Sequence, residues 1–407
     1  LSASATIIVN FRKTFVEKIF EASRGSIVFK KPDLVLTHDN SSSIYNTFKK
    51  MNGIKVADAN QQLIVLDHNA PPTNAKLAND YQAIREIVKE QGITKFHDAG
   101  KGICHQLMAD YAKPGMIIVG SDSHTCTAGA FNSFAAGIDR TEAAGLWKQG
   151  ETWFRVPETI KITLHGKLST GVYAKDLSLW IIGQIGSSGA DYMSIEYHGE
   201  GVKTLSISQR MTITNLASEM GAKNAVFPCD SILENYLGKS YSSVWADQDA
   251  VYFKEIEIDL DEIFPLVAIP HHVDNVKALS EVAGTKLQQA MVGTCTNGRY
   301  EDLEETAKVL KGKKIPEGFQ FLIVPASQKI YLEALRNGLI EIFMEITVIR
   351  NFLMQGAKPD YNKMAKVIFD EFKQLKTNNI NNDDPGLGLG LAISQRLAGL
   401  LGSELNV

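Results

Sequence analysis

Short apolar runs alternate along the chain with polar loops and amphipathic helical patterns. Each run ends in a loop marked by Gly, Pro or polar residues, and a helical periodicity follows the loop. Runs that are apolar throughout predict strands covered on both faces, and strands alternating with helices predict an α/β fold with mostly parallel sheets. The six clearest runs are residues 34–36, 63–66, 116–119, 266–269, 291–292 and 321–324.

The polar loops after these runs are predicted to share one site, because parallel sheets bind ligands beyond the carboxyl ends of their strands. His68 follows the second run, Asp122 and His124 follow the third, and Cys295 follows the fifth. All six loops are expected at such strand ends, including the loop of residues 270–272. These residues are far apart in the sequence but are predicted to lie in one site.

Periodicity also predicts a strand over residues 152–166 and helices over residues 174–185 and 209–221. In the second of these helices Asn215 and Glu219 are four positions apart and therefore share a face. The expected domains are an α/β domain over 1–156, a second α/β region over 157–264, an incomplete third α/β domain over 265–346 and a foreign or disordered tail over 347–407.

The composition is that of an ordinary globular protein, with 22% charged residues and a net charge of −4 over 407 residues. It has no basic stripe and no apolar run near the roughly 20 residues of a membrane span, so neither nucleic acid nor membrane is an expected partner. No signal-peptide pattern precedes the first run. Four cysteines in so long a chain fit a reducing compartment, which predicts a cytoplasmic protein.

Two loops carry candidates for acid–base chemistry. Asp67 precedes His68, and a carboxylate beside an imidazole can tune it for proton transfer, although a capped loop with a surface histidine has the same pattern. The loop of residues 120–125 combines hydroxyls with Asp122 and His124 before a helix start, where backbone N–H groups favour anions. A cluster of helix-capping residues is the alternative interpretation of this loop.

Three further candidates are persuasive only in combination with the residues above. His105 lies near the Gly102 turn, and Glu219 shares its helix face with Asn215, but alone such residues are more often structural or solvated. Cys295 stands at a predicted strand end beside a helix start, where a thiolate would suit a soft metal. A single cysteine is nevertheless more often buried and inert.

Nine segments stand in order along the chain: LVLTHDNS, LDHNAPPTNAKLA, HDAGKGICHQ, GSDSHTCTAGAFNSFAAGI, WFRVPETIKITLHGKL, AKDLSLWIIGQIGSSGA, RMTITNLASEMGAKN, VGTCTNGRYEDL and VPAS. Over about residues 11–346 they resemble the large subunit of 3-isopropylmalate dehydratase and homoaconitase, in the aconitase superfamily. The resemblance implies three α/β/α domains around a [4Fe–4S] cluster. It also implies reversible dehydration of a hydroxy di- or tricarboxylic acid of the 3-isopropylmalate or homocitrate type, in leucine or lysine biosynthesis.

The resemblance assigns roles to matching residues. The Asp67–His68 pair would protonate the departing hydroxyl, and Cys295 would bind the cluster. The groups that would orient an iron-bound water are His105, Asp122, His124 and Glu219, and the substrate contacts would be Ser123, Asn215 and Arg350. In the family a serine on a swivel domain removes the carbon-bound proton. That domain is missing from this chain, so the implied partner is a separate small subunit.

The chain departs from the family pattern at the metal site. Two further cluster cysteines, a C-x-x-C pair after the VPAS loop, have no counterpart, and Cys104 or Cys126 could replace them only with a demanding geometry. The expectation is a hydro-lyase by ancestry with impaired activity, and the alternative is a non-catalytic remnant that binds the small subunit.

Two other segments also depart from the family. The family's G-x-G after the 120–125 loop is replaced by Gly137-Ile138-Asp139-Arg140. The segment NDDPGLGLGLAISQRLAGLLGSEL resembles the glycine-rich ATP lid of sensor histidine kinases. The other boxes of that ATPase domain are not recognisable, so no ATP binding is expected.

Overall fold

The computed structural model describes residues 12–316 and 318–346, which belong to one compact unit. Arg350 and the 347–407 tail, with its resemblance to the ATP-lid segment, lie outside the described residues. The strands, numbered along the chain, are β1 (Ile27–Lys30), β2 (Leu34–Thr37), β3 (Gln62–Val65), β4 (Lys95–His97), β5 (Ile117–Gly120), β6 (Phe134–Gly137), β7 (Thr152–Arg155), β8 (Thr159–His165), β9 (Ser194–His198), β10 (Asn224–Val226), β11 (Lys254–Asp259), β12 (Leu266–Ala268), β13 (Val276–Ala278), β14 (Gln289–Val292) and β15 (Gln320–Ile323).

The helices connect these strands. None of those described is long and apolar enough to cross a membrane. They are α1 (Phe15–Phe20), α2 (Ser41–Lys50), α3 (Ala75–Gln91), α4 (Cys104–Met108), α5 (Arg140–Gln149), α6 (Ala174–Ile185), α7 (Ile207–Leu216), α8 (Ser231–Leu237), α9 (Tyr300–Leu310), α10 (Gln328–Arg336) and α11 (Leu339–Ile346), and two of the 3-10 segments between them are Ser123–Phe131 and Ala217–Met220.

The largest sheet has five parallel strands in the order β4-β3-β2-β5-β6. Successive side chains of one strand point to opposite faces, so each strand supplies two cores. Val35 and Ile64 pack into one core, and Leu34, Leu36 and Leu63 pack into the other. The predicted α/β class with both sheet faces covered is therefore confirmed, and the carboxyl ends of β2, β3 and β5 meet at one edge.

A second parallel sheet has the order β10-β9-β8-β11. The single strand predicted over residues 152–166 is wrong, because β7 pairs antiparallel with β1 while β8 belongs to the second sheet. Pro157 lies between them, and proline cannot donate to a strand ladder. The helix predicted over residues 174–185 has the bounds of α6, and the one over 209–221 is α7 followed by the 3-10 segment Ala217–Met220.

The region after residue 265 is built from smaller pieces. β14 and β15 form a parallel pair, as predicted. β12 pairs antiparallel with β13, so the loop of residues 270–272 does not follow a parallel strand and that expectation was wrong. The apolar run of β12 is too short to distinguish a hairpin from a crossover strand. The division of the chain at 156, 264 and 346 stays a prediction.

A close backbone contact joins this region to the first sheet. Gly102 forms an isolated antiparallel bridge with Ser327, and the Ile103 N–H donates to the carbonyl of Ala326 at 2.8 Å. Gly102 has a φ of +151°, and a Cβ there would lie 2.7 Å from Ser327 Cβ. A glycine is therefore required where the VPAS loop meets the turn before α4.

A second close contact joins the first sheet region to β10. Gly129, in the segment Ser123–Phe131, accepts a hydrogen bond from the Phe227 N–H at 3.1 Å. A Cβ on Gly129 would lie 1.6 Å from the carbonyl oxygen of Ala225. Because that obstacle is backbone, no side-chain rotation can relieve it, and the segment that begins at Ser123 is fixed by this packing.

We therefore expect Gly129→Ala to lower the free energy of unfolding by about 3 kcal/mol, the upper range for overpacking. The control is Gly145→Ala in α5, where nothing lies within 4 Å of an added Cβ. Replacing a helical glycine there should stabilise the chain by roughly 0.5–1 kcal/mol. Urea unfolding of the two variants measures the difference, and equal stabilities would refute the close-contact argument.

Candidate active site

One carboxylate, Asp122, stands at the centre of the site. It follows β5, where its Oδ1 lies 2.8 Å from His105 Nε2 and its Oδ2 lies 3.2 Å from His68 Nε2. The backbone N–H of His124 also donates to Oδ1, at 2.8 Å. Burial opposes ionisation of Asp122, but hydrogen bonds from His105, His124 and His68 outweigh it and hold the pKa of its carboxyl far below the usual range.

His68 is held between two carboxylates. Its Nδ1 lies 2.8 Å from Asp67 Oδ1, while its Nε2 faces Asp122. These hydrogen bonds, with Asp122 contributing most, raise the pKa of His68 to about 10. Asp67 is fixed in turn by the backbone N–H of Cys104, which donates to its Oδ2 at 2.7 Å. The His68 side chain is 39% exposed, so an imidazolium with a fixed orientation faces solvent.

A second histidine is paired in the same way. His124 Nε2 lies 3.1 Å from Glu219 Oε1, in the 3-10 segment after α7. Hydrogen bonds to Asp122 and then to Glu219 raise the pKa of His124 to about 10, and the bond from His124 lowers the pKa of Glu219. Ser123 is exposed beside it, with its Oγ 3.4 Å from His124 Nδ1. His105, by contrast, is only 2% exposed.

Cys295 lies in the loop between β14 and α9. Arg299, which is 4% exposed, donates to the carbonyls of Cys295 and Thr296 and to the Thr212 hydroxyl, and so fixes this loop against α7. The Sγ of Cys295 lies 3.9 Å from Asn215 Oδ1, a weak thiol contact. The predicted convergence of His68, Asp122 and His124 from two loops is therefore found in the structure, and Cys295, from a third loop, contacts Asn215.

Comparison with known proteins identifies the family. Residues 8–350 match the Aconitase family (aconitate hydratase). The chain belongs to the aconitase family. The match and the relatives described next confirm the resemblance to dehydratase and homoaconitase large subunits, the aconitase-like fold class and the hydro-lyase class.

Three relatives show the extent of the similarity. The probable methanogen homoaconitase large subunit of Methanosarcina mazei is 44% identical over 323 residues, 78% of this chain and 82% of the relative. The 3-isopropylmalate dehydratase large subunit of Clostridium kluyveri is 44% identical over 329 residues, 79% and 78% of the two chains. The 3-isopropylmalate dehydratase large subunit 1 of Thermotoga maritima is 38% identical over 384 residues, 91% of each.

The family implies a [4Fe–4S] cluster, but the thiols of this chain do not fit one. Such a cluster is held by three or four thiolates, and no C-x-x-C pair occurs in the 407 residues. Cys104 and Cys126 are fully buried, and this burial raises the pKa of the Cys104 thiol well above its usual range and that of Cys126 to about 12. Cys229 follows β10 and packs against the hydrophobic core that contains Cys104. Cys295 remains the single candidate ligand.

Single divalent ions have two candidate sets of ligands among the described residues. In each set the ligand atoms lie within 4.8 Å of one another and several of them hydrogen-bond each other, while one buried imidazole nitrogen in each set, Nδ1 of His38 and Nδ1 of His105, has no hydrogen-bond partner in the part of the chain that the structure describes. The two sets are His38, Asp39, Asp67 and His68, and His105, Asp122 and His124.

Sequence reasoning missed three residues that organise the site. His38 stacks on His68 with ring centroids 3.9 Å apart. Asp39 accepts hydrogen bonds from the backbone N–H of Asp67 and from the hydroxyl of Tyr81, and so fixes the His68 loop. The polar segment after β2 was a signal for both. Arg299 had no such signal, because its burial depends on packing against α7.

The stability of the fold is expected to depend on pH through the imidazoliums of His68 and His124. Because the pKa values of His68 and His124 are raised from 6.5 to about 10, their contribution is complete below pH 6.5 and is lost as the pH rises to about 10. The Asp122 carboxyl has a depressed pKa, so its contribution is present above pH 3.8 and is lost only as the pH falls below that value.

We expect Asp122→Asn to move the pKa values of both histidines down toward 6.5, because the largest cause of each shift is removed. The variant should then lose stability between pH 6.5 and 8, where the unaltered chain still keeps both imidazoliums. Imidazole NMR titration with urea unfolding at each pH measures both effects, and Asp191→Asn, an exposed carboxylate, is the control. Titration of both histidines near 6.5 in the unaltered chain would contradict the assignment.

Proposed function

We propose that this chain is the large subunit of a hydro-lyase that dehydrates and rehydrates a hydroxy di- or tricarboxylic acid, of the kind named for its relatives. One observation carries the proposal: a fixed imidazolium, His68, faces solvent at the shared edge of the parallel sheet. Asp67 and Asp122 hold it from both nitrogens. Removing a hydroxyl group requires such a proton donor, because hydroxide is a poor leaving group.

His68 is proposed as the acid that protonates the departing hydroxyl. Its bond to Asp122 is the longer of the two, at 3.2 Å against 2.8 Å to Asp67, so Nε2 is the nitrogen that can turn to a substrate. The bond to Asp122 is also the largest cause of the raised pKa. Exchanging that bond for a substrate hydroxyl therefore lowers the pKa of His68 and makes its proton easier to release.

The remaining site residues are proposed to bind and orient. The exposed Ser123 hydroxyl, at the start of a 3-10 segment, is placed to meet a substrate carboxylate. His105 and His124 hold Asp122 in place, and Glu219 fixes the His124 ring. Asn215 is fully buried, and its amide donates to the Thr127 hydroxyl. We therefore propose that Asn215 positions Cys295 and the loop around it, and that it does not contact the substrate.

The family's cluster would supply a Lewis acid for the substrate hydroxyl. The chain offers one suitable thiolate, which is too few to hold a [4Fe–4S] cluster. We propose that this chain supplies the acid, that the base is supplied by the small subunit, and that the metal-binding set is incomplete, so the chain as it stands has impaired turnover. Its partner is a separate small subunit, as the relatives' names imply. The four free cysteines fit a cytoplasmic setting.

Iron content tests the metal part of this proposal. After anaerobic reconstitution with iron and sulfide, the chain should retain well under the four irons of an intact cluster. A large subunit from the same family, treated in parallel, is the positive control. Close to four irons per chain, together with sustained turnover in the presence of a small subunit, would show that other ligands complete the cluster and would overturn it.

Ligand binding tests the substrate-binding part of the proposal. We expect a hydroxy di- or tricarboxylic acid to bind the chain, with Ser123→Ala weakening the affinity by roughly tenfold, the effect of losing one hydrogen bond to a charged group. Ser188→Ala, in an exposed loop, is the matched control. Calorimetry measures both. If no such acid binds the folded chain while a small subunit still does, the non-catalytic alternative is the correct one.

A further inference from the structure

β6 lies at one end of the five-stranded sheet, so its outer edge has no neighbouring strand among the described residues. Two consecutive side chains bond to that edge instead. The side chain of Asn224 accepts a hydrogen bond from the Ala135 N–H at 2.9 Å. The ammonium of Lys223 donates to the carbonyl of Gly137, the last residue of β6, at 2.6 Å. The start of β10 is thereby joined to the carboxyl end of β6.

The carbonyl that Lys223 holds belongs to the residue on which the central loop of the site rests. A Cβ added to Gly137 would lie 3.0 Å from the carbonyl oxygen of Asp122 and 3.0 Å from the Cα of Ser123. Gly137 also pairs with Gly120, the last residue of β5. The backbone of Asp122 and Ser123 therefore packs on the end of β6 with no side chain of Gly137 between them. A shift of that glycine would be passed directly to both residues.

The surroundings of the Lys223 ammonium favour a strong contact. Burial lowers the pKa of Lys223, and the nearby carboxylates of Glu142 and Asp139 oppose that shift. The Nζ of Lys223 also lies 5.7 Å from the centroid of the Tyr192 ring, within the range of a cation–π contact. A hydrogen bond from an ammonium group is stronger than one between neutral groups. The contact is therefore suited to fixing the end of β6.

We propose that Lys223 is a positioning residue, which holds the backbone of Asp122 and Ser123 in place through the carbonyl of Gly137. Asp122 is the carboxylate that orients His68, and hydrogen bonds weaken steeply as their geometry is lost. Ser123 is the proposed contact for a substrate carboxylate, so this part of the inference rests on the proposed function. Lys223 acts through geometry, and its charge is not a contact for the substrate.

Amide hydrogen exchange of the full chain tests the positioning step without a ligand. Lys223→Met removes the ammonium and keeps most of the length of the side chain. The His124 N–H, which donates to Asp122 Oδ1, should then exchange at least about tenfold faster. The Leu66 N–H, bonded near the opposite edge of the same sheet, is the internal reference and should change by less than about twofold. Lys175→Met, at an exposed position of α6, is the matched control and should change neither rate.

Ligand affinity separates positioning from charge. The probe is 3-isopropylmalate or homocitrate, whichever the unaltered chain binds more tightly by calorimetry. Lys223→Met should weaken its affinity by roughly fivefold. In a Ser123→Ala background the same change should weaken the affinity by less than about twofold, because the contact that Lys223 positions is already lost. Lys223→Arg, which keeps a cationic donor, should restore most of the affinity.

Each outcome decides one step. If the His124 and Leu66 amides exchange faster to the same extent, Lys223 stabilises the whole fold and the inference is overturned. If the affinity falls equally in both backgrounds, the charge acts on the ligand through space, and the positioning of Ser123 is refuted. If neither acid binds the folded chain, the proposed function fails, while the His124 exchange still decides whether Lys223 positions Asp122. Should Lys223→Met not fold, Lys223→Gln, a shorter neutral donor, should show the same selective acceleration at His124.

Discussion

The site depends on one carboxylate that is shared by histidines from three separate places in the fold. Asp122 bonds His68, His105 and the backbone of His124, while Asp67 and Glu219 supply the outer carboxylates. A network of alternating acids and imidazoles balances its own charge, so it can be half-buried without a large desolvation penalty. It also forces the loops after β3 and β5, the start of α4 and the end of α7 into a single arrangement.

The convergence of these loops could be predicted from the sequence, because parallel strands place their carboxyl ends on one edge whatever their order. His68, Asp122 and His124 were found in this way. The hairpin β12–β13 could not be, since a three-residue apolar strand carries no sign of its partner. Pro157 does mark the break between β7 and β8, although the apolar pattern of residues 152–166 resembles a single strand. The part played by Arg299 was beyond prediction because it depends on tertiary burial alone.

The acid–base residues and the Cys295 loop are held in place by different parts of the chain. Asp67, His68, Asp122 and His124 follow strands of the five-stranded sheet, and they are held by hydrogen bonds to one another, to His105 on α4 and to Glu219 after α7. The Cys295 loop is fixed separately, by the guanidinium of Arg299 and by Thr212 on α7. The described hydrogen bonds that position His68 and Asp122 therefore include none to the Cys295 loop. The acid–base network is held independently of the one cysteine that is a candidate metal ligand.

The turn between β6 and α5 is independent of the acid–base network in the same way. In this turn the carboxylate of Asp139 caps α5 and accepts hydrogen bonds from the N–H groups of Thr141, at 2.6 Å, and Glu142. The cap satisfies two N–H groups of the first helical turn, and the helix starts at Arg140. The side chain at this first position points away from the helix interior and needs no space in the core. Arg140 therefore lies at the edge of the site without taking part in the bonds of Asp122, so a change of this side chain would leave the acid–base network intact.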